Sequence, residues 1–414
     1  MSESLLLWNA RIIDGRGGPP IERAAVSVVD GRIDAIDPGA HGDAPPEAVD
    51  LDGLTVLPGL IDAHAHVSSD TERSPGFELP ELKHGADPRP KDLRYFLLAN
   101  MARAFLRAGI TSVRDVGSYD DEAIVLRRAL ELGLVDGPRL LSCGRILTAT
   151  SPGARIFGTM YREADGPWEM RKAVREQIRD GADFIKIMAT GARSVEREDP
   201  EPAQMVLEEV EAVVEEAHRL GYRVAAHAEG LPGARNAIEA GVDTIEHGLS
   251  LHREPALLDT MAERSIVLVP TLSTFHDLAE RFANDFAPRL VEQAKRQAEE
   301  AARTLNAAAE AGVILAMGYD SGPPGASANE LVRMAEAGLG TAAAIRAATA
   351  GSACALGLSD VGTIEPGRVA DLLVVDGDPL EDPSTLLEPE RVRLVLQAGR
   401  VVAGTRPEPT DIRP

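Results

Sequence analysis

The chain has 414 residues, 44% of them hydrophobic, which allows one large core and a smaller one, because single cores stop growing near roughly 250–300 residues. Its 43 Lys and Arg against 66 Asp and Glu give a formal charge of -23, which repels phosphate backbones and anionic headgroups and argues against nucleic acid or a membrane surface as a partner. No stretch approaches the roughly 18–20 apolar residues of a membrane span, and MSESLLLWNARIIDG is too short and polar for a secretory signal; a cytoplasmic protein is expected, with Cys143 and Cys354 as reduced core thiols.

The chain opens with the β-rich runs LLLWNARIIDG, AAVSVVDGRIDAID and DLDGLTVLPG, with hairpin-type turns at Asp30-Gly31 and Asp52-Gly53. VADLLVVDGDPL and VRLVLQAGRVVAG repeat this texture near the other end. Residues 1–58 and 359–414 are therefore expected to build one small composite β-sandwich around a middle domain of residues 59–358; two separate hairpins packed on that domain are the alternative. In the middle, candidate strands run Leu60–Ala63, Thr111–Arg114, Arg139–Ser142, Phe184–Met188, Val224–Ala226, Thr244–Glu246, Ile266–Val269 and Ile314–Met317. Helical patterns lie between them: Val206, Val210, Val213, Val214, Ala217 and Leu220 recur at three and four residues and stop at Gly221. Eight strands with intervening helices predict an α/β fold, a (β/α)8 TIM-like barrel, and no GxGxxG follows the first strand to favour a dinucleotide fold.

In such a barrel the chemistry sits at the C-terminal strand ends. GLIDAHAHV brings His64 and His66 there, FIKIMATG Lys186, VAAHAEG His227, TIEHG His247 and MGYDSG Asp320. Four imidazoles, one carboxylate and one lysine converging on one face are what a pair of divalent ions requires. His64 and His66 are two apart, so in an extended segment both face the same side, which suits chelation of one ion. Lysine is scarce, five against 38 Arg, yet Lys186 falls in an apolar run that reads as a strand buried on both faces. A bare ammonium there costs several kcal/mol in order of magnitude unless it is paired or neutralised, so something must compensate Lys186, a partner carboxylate being the simplest candidate. His41, His84, His218, His252 and His276 lack such settings and read as surface or loop residues. Ser321 and Cys354 show no GxSxG elbow or partner histidine, which argues against an acyl-enzyme route.

The stretch between Val67 and Lys91 is long and polar, a lid or a surface excursion. Arg155 and Arg193 lie in loops near the expected mouth, placed either to grip a substrate carboxylate bidentately or to be solvated; Tyr161 would polarise a carbonyl or pack. Residues 273–311 predict an exposed helical pair that shapes the pocket or joins copies of the chain in a homo-oligomer, with EQAKRQAEEAAR as a solvated face.

Taken together, PGLIDAHAHV, TSVRDVG, GADFIKIMATG, EEAHRLGYRVAAHAEG, AIEAGVDTIEHG, LVPTLS, MGYDSG and GTIEPGRVADLLVVDGDPL resemble the amidohydrolase superfamily, in its imidazolonepropionase-related and prolidase-like branch. The resemblance covers nearly the whole chain. It implies two divalent metal ions, usually zinc, with His64, His66 and Asp320 on the first, His227 and His247 on the second, and Lys186 as N6-carboxylysine bridging them. It further implies a metal-bridging hydroxide that attacks the carbonyl of a small-molecule substrate, with Asp320 as catalytic proton shuttle. SPGARIF and PPGAS depart from the prolidase-like pattern and put a dipeptide substrate in question. The reading is a metal-dependent hydrolase cleaving an amide C–N bond of a small N-acyl or dipeptide-like molecule. The alternatives are the same centre acting on a lactone, carbamate, urea or phosphotriester, and a non-catalytic metal-binding barrel.

Overall fold

The computed structural model describes residues 4–40, 42–68, 91–192, 195 and 197–404. The two ends of the chain form one mixed sheet in the order Arg400–Gly404, Val392–Gln397, Leu372–Val375, Thr55–Pro58, Ser4–Ile12, Ile21–Val29 and Arg32–Pro38, with Val49–Asp50 also against Ser4–Ile12. The join between the ends is Thr55–Pro58, antiparallel to Leu372–Val375 and parallel to Ser4–Ile12. Both terminal segments thus contribute strands to it, and the two layers of a sandwich are not confirmed: hydrogen bonding runs through the strands as one continuous sheet. Alternation explains how this sheet is buried on both sides. Leu372, Val374, Val56, Leu394 and Leu396 pack into its own apolar cluster, while Leu373, Val375, Leu57 and Val395, one residue out of phase, pack against the middle of the chain.

The middle supplies two parallel sheets. One joins Leu60–Ala65, Ile110–Asp115 and Arg139–Ser142; the other runs Tyr161–Glu163, Ile146–Thr148, Ile185–Met188, Val224–Ala228, Thr244–His247 and Val267–Val269. Two differences from the expected eight strands stand out. The third strand is broken: Arg139–Ser142 pairs with Ile110–Asp115, the chain turns at Gly144 (φ 66°), and Ile146–Thr148 pairs onward to Ile185–Met188. The segment expected as the eighth strand makes an isolated bridge, Leu268 to Leu315, without a continuous ladder. Its hydrogen bonds are divided between two neighbours, Leu268 N–H to Ile314 O and Ala316 N–H to Leu268 O at 2.9 Å on one side, Ala63 N–H to Met317 O at 2.8 Å on the other.

Helices cover the outward faces. Leu207–Arg219 buries Val210, Val213, Val214 and Ala217 against Ile185, Ile187, Val224 and Ala226, the stripe its spacing predicts. The expected exposed pair resolves into Leu272–Ala279, largely buried, and Pro288–Glu310, whose inner face is buried and whose outer face carries the charges. The first of these is not solvated because Leu272 and Phe275 belong to the main core. Among the described residues no helix is long and apolar enough to cross a membrane. Cys143 is buried, Cys354 is half-buried, and both are free thiols.

Candidate metal centre

Asp62 and His64 lie two apart on the first parallel strand, Leu60–Ala65, and His66 follows directly after its end, again two residues on. One oxygen of the buried Asp62 accepts the His64 N–H at 3.0 Å and the Tyr319 N–H at 3.2 Å, and the other accepts the Ser327 hydroxyl at 2.7 Å. Burial pushes the Asp62 carboxyl up to about 6 against these hydrogen bonds. The carboxyl staples the first strand to the segment that carries Asp320, whose own N–H donates to His64 O at 3.0 Å. That approach needs Gly318, where a Cβ would lie 2.5 Å from the His64 Cβ and from a Val269 methyl.

The result is a contiguous ring cluster. The imidazoles of His66 and His64 have centroids 5.4 Å apart, His64 and His247 5.1 Å, and His247 and His227 4.5 Å. One oxygen of Asp320 lies 3.5 Å from Nε2 of both His64 and His66, and the other lies 4.0 Å from His247 Nδ1. Ligand atoms of His64, His247 and Asp320 fall within 4.8 Å of one another. Each imidazole also has an outer partner on one nitrogen: Glu246 on His64 Nδ1 at 2.7 Å, Gly117 O on His66 Nδ1 at 2.9 Å, Gly191 O on His227 Nε2 at 3.1 Å and the Thr271 hydroxyl on His247 Nδ1 at 2.6 Å. A carbonyl or carboxylate only accepts, so the nitrogen facing it carries the proton and the opposite nitrogen is the one a metal takes, the usual arrangement of metal-binding histidines.

His247 does not reach the cluster by alternation. It shares parity with Ile245, which points outward into the helix-facing core; a left-handed backbone at His247 (φ 71°) turns the chain at the strand end. Asp320 (φ 44°) and Thr271 (φ 49°) are left-handed as well. Such conformations cost of order 1–3 kcal/mol each for residues with a Cβ and concentrate at functional sites.

Beneath the rings lies a buried charged layer. Arg114 donates from Nε to Ala63 O at 2.6 Å and from a terminal nitrogen to Glu246 at 2.7 Å, and Thr244 Oγ1 donates to the same Glu246 oxygen. Burial alone would push the Glu246 carboxyl up, but the Arg114 guanidinium, Lys186 and the His64 hydrogen bond outweigh it and hold Glu246 well below the usual carboxylate range. Lys186 is 2% exposed and makes no hydrogen bond or ion pair with any described residue. Burial, helped by the Arg114 charge and opposed by Glu246, pushes its pKa down, which favours the neutral amine. His64 is likewise driven down to about 4, by burial first and by Lys186 in addition, which favours the neutral imidazole.

All six residues singled out in the sequence belong to this region, with one shift in depth: Lys186 is the second residue of Ile185–Met188, one layer below the strand end where it was expected. Tyr161 is buried in an apolar cluster with Tyr119, Ile146 and Met188, its ring 5.0 Å from that of Phe157. Burial, then the charges of Glu198, Tyr119 and Glu229, push its hydroxyl well above the usual tyrosine value. Arg155 is exposed and makes no ion pair among the described residues, the solvated alternative. Arg193 lies outside the described residues, as do most of the stretch from Val67 to Lys91, His41 and His84. His218 pairs with Asp243 at the surface, and His252 meets Thr304 on the long helix.

Sequence reasoning missed Arg114, Glu246, Asp62, Thr271 and Glu229. The first two carry the signal that exposed Lys186, a charge inside an apolar strand. Glu229 is 1% exposed, lies 3.7 Å from His227 and accepts from Gln297 on the long helix at 3.0 Å.

A sequence model of the amidohydrolase family matches residues 55–402, and the chain belongs to that family. Ochratoxinase from Aspergillus niger is 30% identical over 433 aligned residues, covering 96% of this chain and 86% of the relative, and its crystal structure superposes with a TM-score of 0.84. A Xaa-Pro dipeptidase with methionine bound in its active site is 31% identical, with a TM-score of 0.84 over 96% of this chain and 99% of that one. An imidazolonepropionase from Salinispora tropica is 26% identical over 391 residues, 87% of this chain and 88% of the relative.

Proposed function

We propose that the protein is a binuclear metal-dependent hydrolase that cleaves the amide C–N bond of a small N-acyl or dipeptide-like molecule. In this reading the two parallel sheets and the segment 314–317 act as one (β/α)8 barrel spanning residues 59–358, and residues 1–58 and 359–414 form the second domain. The observation that carries the proposal is a buried lysine that makes no hydrogen bond or ion pair with any described residue, beneath four imidazoles and a carboxylate. The donor set fits two divalent ions, zinc by preference for imidazole and carboxylate ligands. His64, His66 and Asp320 would hold one, His227 and His247 the other, and Lys186 would join them. As a neutral amine Lys186 can add to carbon dioxide, forming an N–C bond and releasing one proton to give an anionic carbamate, which removes the problem of a buried cation.

Bound divalent ions lower the pKa of coordinated water from 15.7 to about 7 and so supply a nucleophile at neutral pH. The chain's own groups do the rest. Asp320, 3.5 Å from two imidazoles, is positioned to accept a proton and return it to the leaving nitrogen. Arg114 and Glu246 fix the His64 ring from below, and the carbonyls of Gly117 and Gly191 fix His66 and His227. The dipeptidase and ochratoxinase relatives support a small-molecule hydrolase, and a net charge of -23 favours a small substrate over an anionic polymer.

The test is metal stoichiometry on protein expressed with added zinc and bicarbonate, followed by assay of N-acyl amino acids, dipeptides, lactones and aryl carbamates. Two ions per chain and amine release from the first two classes are expected. Protein without bound metal, or turnover confined to lactones, would overturn the proposal.

A further inference from the structure

The seventh strand ends in a feature that the hydrolytic reading leaves unused. Thr271 follows Val267–Val269 and precedes the helix Leu272–Ala279, it is fully buried, and its backbone is left-handed at φ 49°. For a β-branched residue this is a true outlier, and such a conformation persists only where the surroundings over-determine it.

What holds it is Glu330, on the helix Ala328–Met334, far away in sequence. One Glu330 oxygen accepts the Leu272 N–H and the other accepts the Ser273 N–H, each at 2.7 Å, so both amides directly after Thr271 are clamped by a single carboxyl. These are the first two amides of the helix, which have no partner within the helix itself and find one in the carboxyl oxygens. Glu330 is 0% exposed and forms no ion pair with a described residue, so a costly buried acid is retained at this one point.

The turn points the Thr271 hydroxyl at His247, 2.6 Å from Nδ1, and the same helix sets the Phe275 ring edge-on to the imidazole at 6.2 Å. A competing acceptor for the Nδ1 proton is the Asp320 carboxylate, 4.0 Å away. If His247 turned its N–H to Asp320, it would occupy the carboxylate that the centre needs.

We propose that Thr271, held in its left-handed turn by Glu330, is the positioning residue that fixes His247: it accepts the Nδ1 proton, keeps that proton off Asp320, and leaves Nε2 as the ligating nitrogen. The ring geometry stands independently of the hydrolytic reading; its effect on metal affinity rests on that reading.

The test uses full-length, metal-free protein labelled with 15N at histidine, with the His247 signals assigned by their loss in His247→Gln. Two-bond proton–nitrogen correlations should show a single tautomer protonated at Nδ1 in the parent and in Thr271→Ser, which keeps the hydroxyl. In Thr271→Val, which keeps the shape, the two ring-nitrogen shifts should average or the Nδ1 proton resonance should be displaced. Glu330→Gln, which leaves one clamped amide without its acceptor, should give partial averaging. Parent-like ring signals in Thr271→Val, or their loss in Thr271→Ser, would overturn the proposal; parent-like signals in folded Glu330→Gln would remove the clamp from it. Zinc competition against a chelator should show Thr271→Val binding about 10- to 100-fold more weakly, the usual effect of removing an outer partner of a ligand. Failure of the parent itself to bind two ions would count against the hydrolytic reading, while the ring signals would still decide this one.

Discussion

Leu372–Val375 and Thr244–His247 are both four-residue strands buried at every position, yet they have opposite characters. The first is LLVV, and each side chain enters an apolar cluster on one face or the other. The second is TIEH: Ile245 alone enters an apolar core, while Thr244, Glu246 and His247 belong to a hydrogen-bonded network. Equal burial therefore does not mean equal purpose. An apolar strand contributes stability through area removed from water, and a polar one is kept only where every group finds a partner and the arrangement has work to do.

The largest effect should come from the polar side. Lys186→Ala should lose most turnover and lower metal content, and Lys186→Arg should not restore it, because a guanidinium cannot become a carbamate; full activity with two ions retained would remove the bridge. Asp320→Asn should keep the fold and much of the metal while turnover falls by about 10²- to 10⁴-fold, the usual range for a lost general acid–base. Arg114→Met leaves Glu246 buried without its guanidinium and should cost about 3–5 kcal/mol in denaturant unfolding, with weaker metal retention as well. Leu372→Ala should cost about 2–5 kcal/mol by the same measurement while the KM and kcat of the residual folded enzyme stay unchanged. If both substitutions altered kcat, the division between the two regions would fail.

The smallest effect concerns pH. Burial raises the Glu330 carboxyl from 4.5 to about 8, so the unfolded chain ionises first as pH increases. The stability this group contributes is fully present below 4.5 and is lost as pH rises through about 8. Glu330→Gln should flatten that part of the stability–pH curve; an unchanged slope would locate it in another group.

Much of this was readable in the linear chain because the informative residues sit where an apolar run stops. His64, His66, His227, His247 and Asp320 all carry that signal, and Lys186 betrays itself as a charge within such a run. The repeated texture of the two terminal segments has a counterpart in the sheet, where the short apolar strands Thr55–Pro58 and Leu372–Val375 pair. The break in the third strand was not, because the turn at Gly144 depends on which neighbour each half finds. The eighth segment looked like a strand by composition, and only its divided hydrogen bonding shows otherwise. Thr271 and Glu330 left no local trace: 58 residues separate the carboxyl from the Leu272 amide it clamps, and a left-handed threonine is invisible until the chain is folded.

The placement of Thr55–Pro58 also carries a message about biogenesis. This short strand leaves the ribosome long before the neighbour that covers one of its edges, Leu372–Val375. An open β-edge invites pairing with other chains until it is covered. Translation thus leaves an adhesive seam on the nascent polypeptide until that much later segment closes it, and a message truncated before the codon for Leu372 should yield aggregates in place of a smaller folded protein.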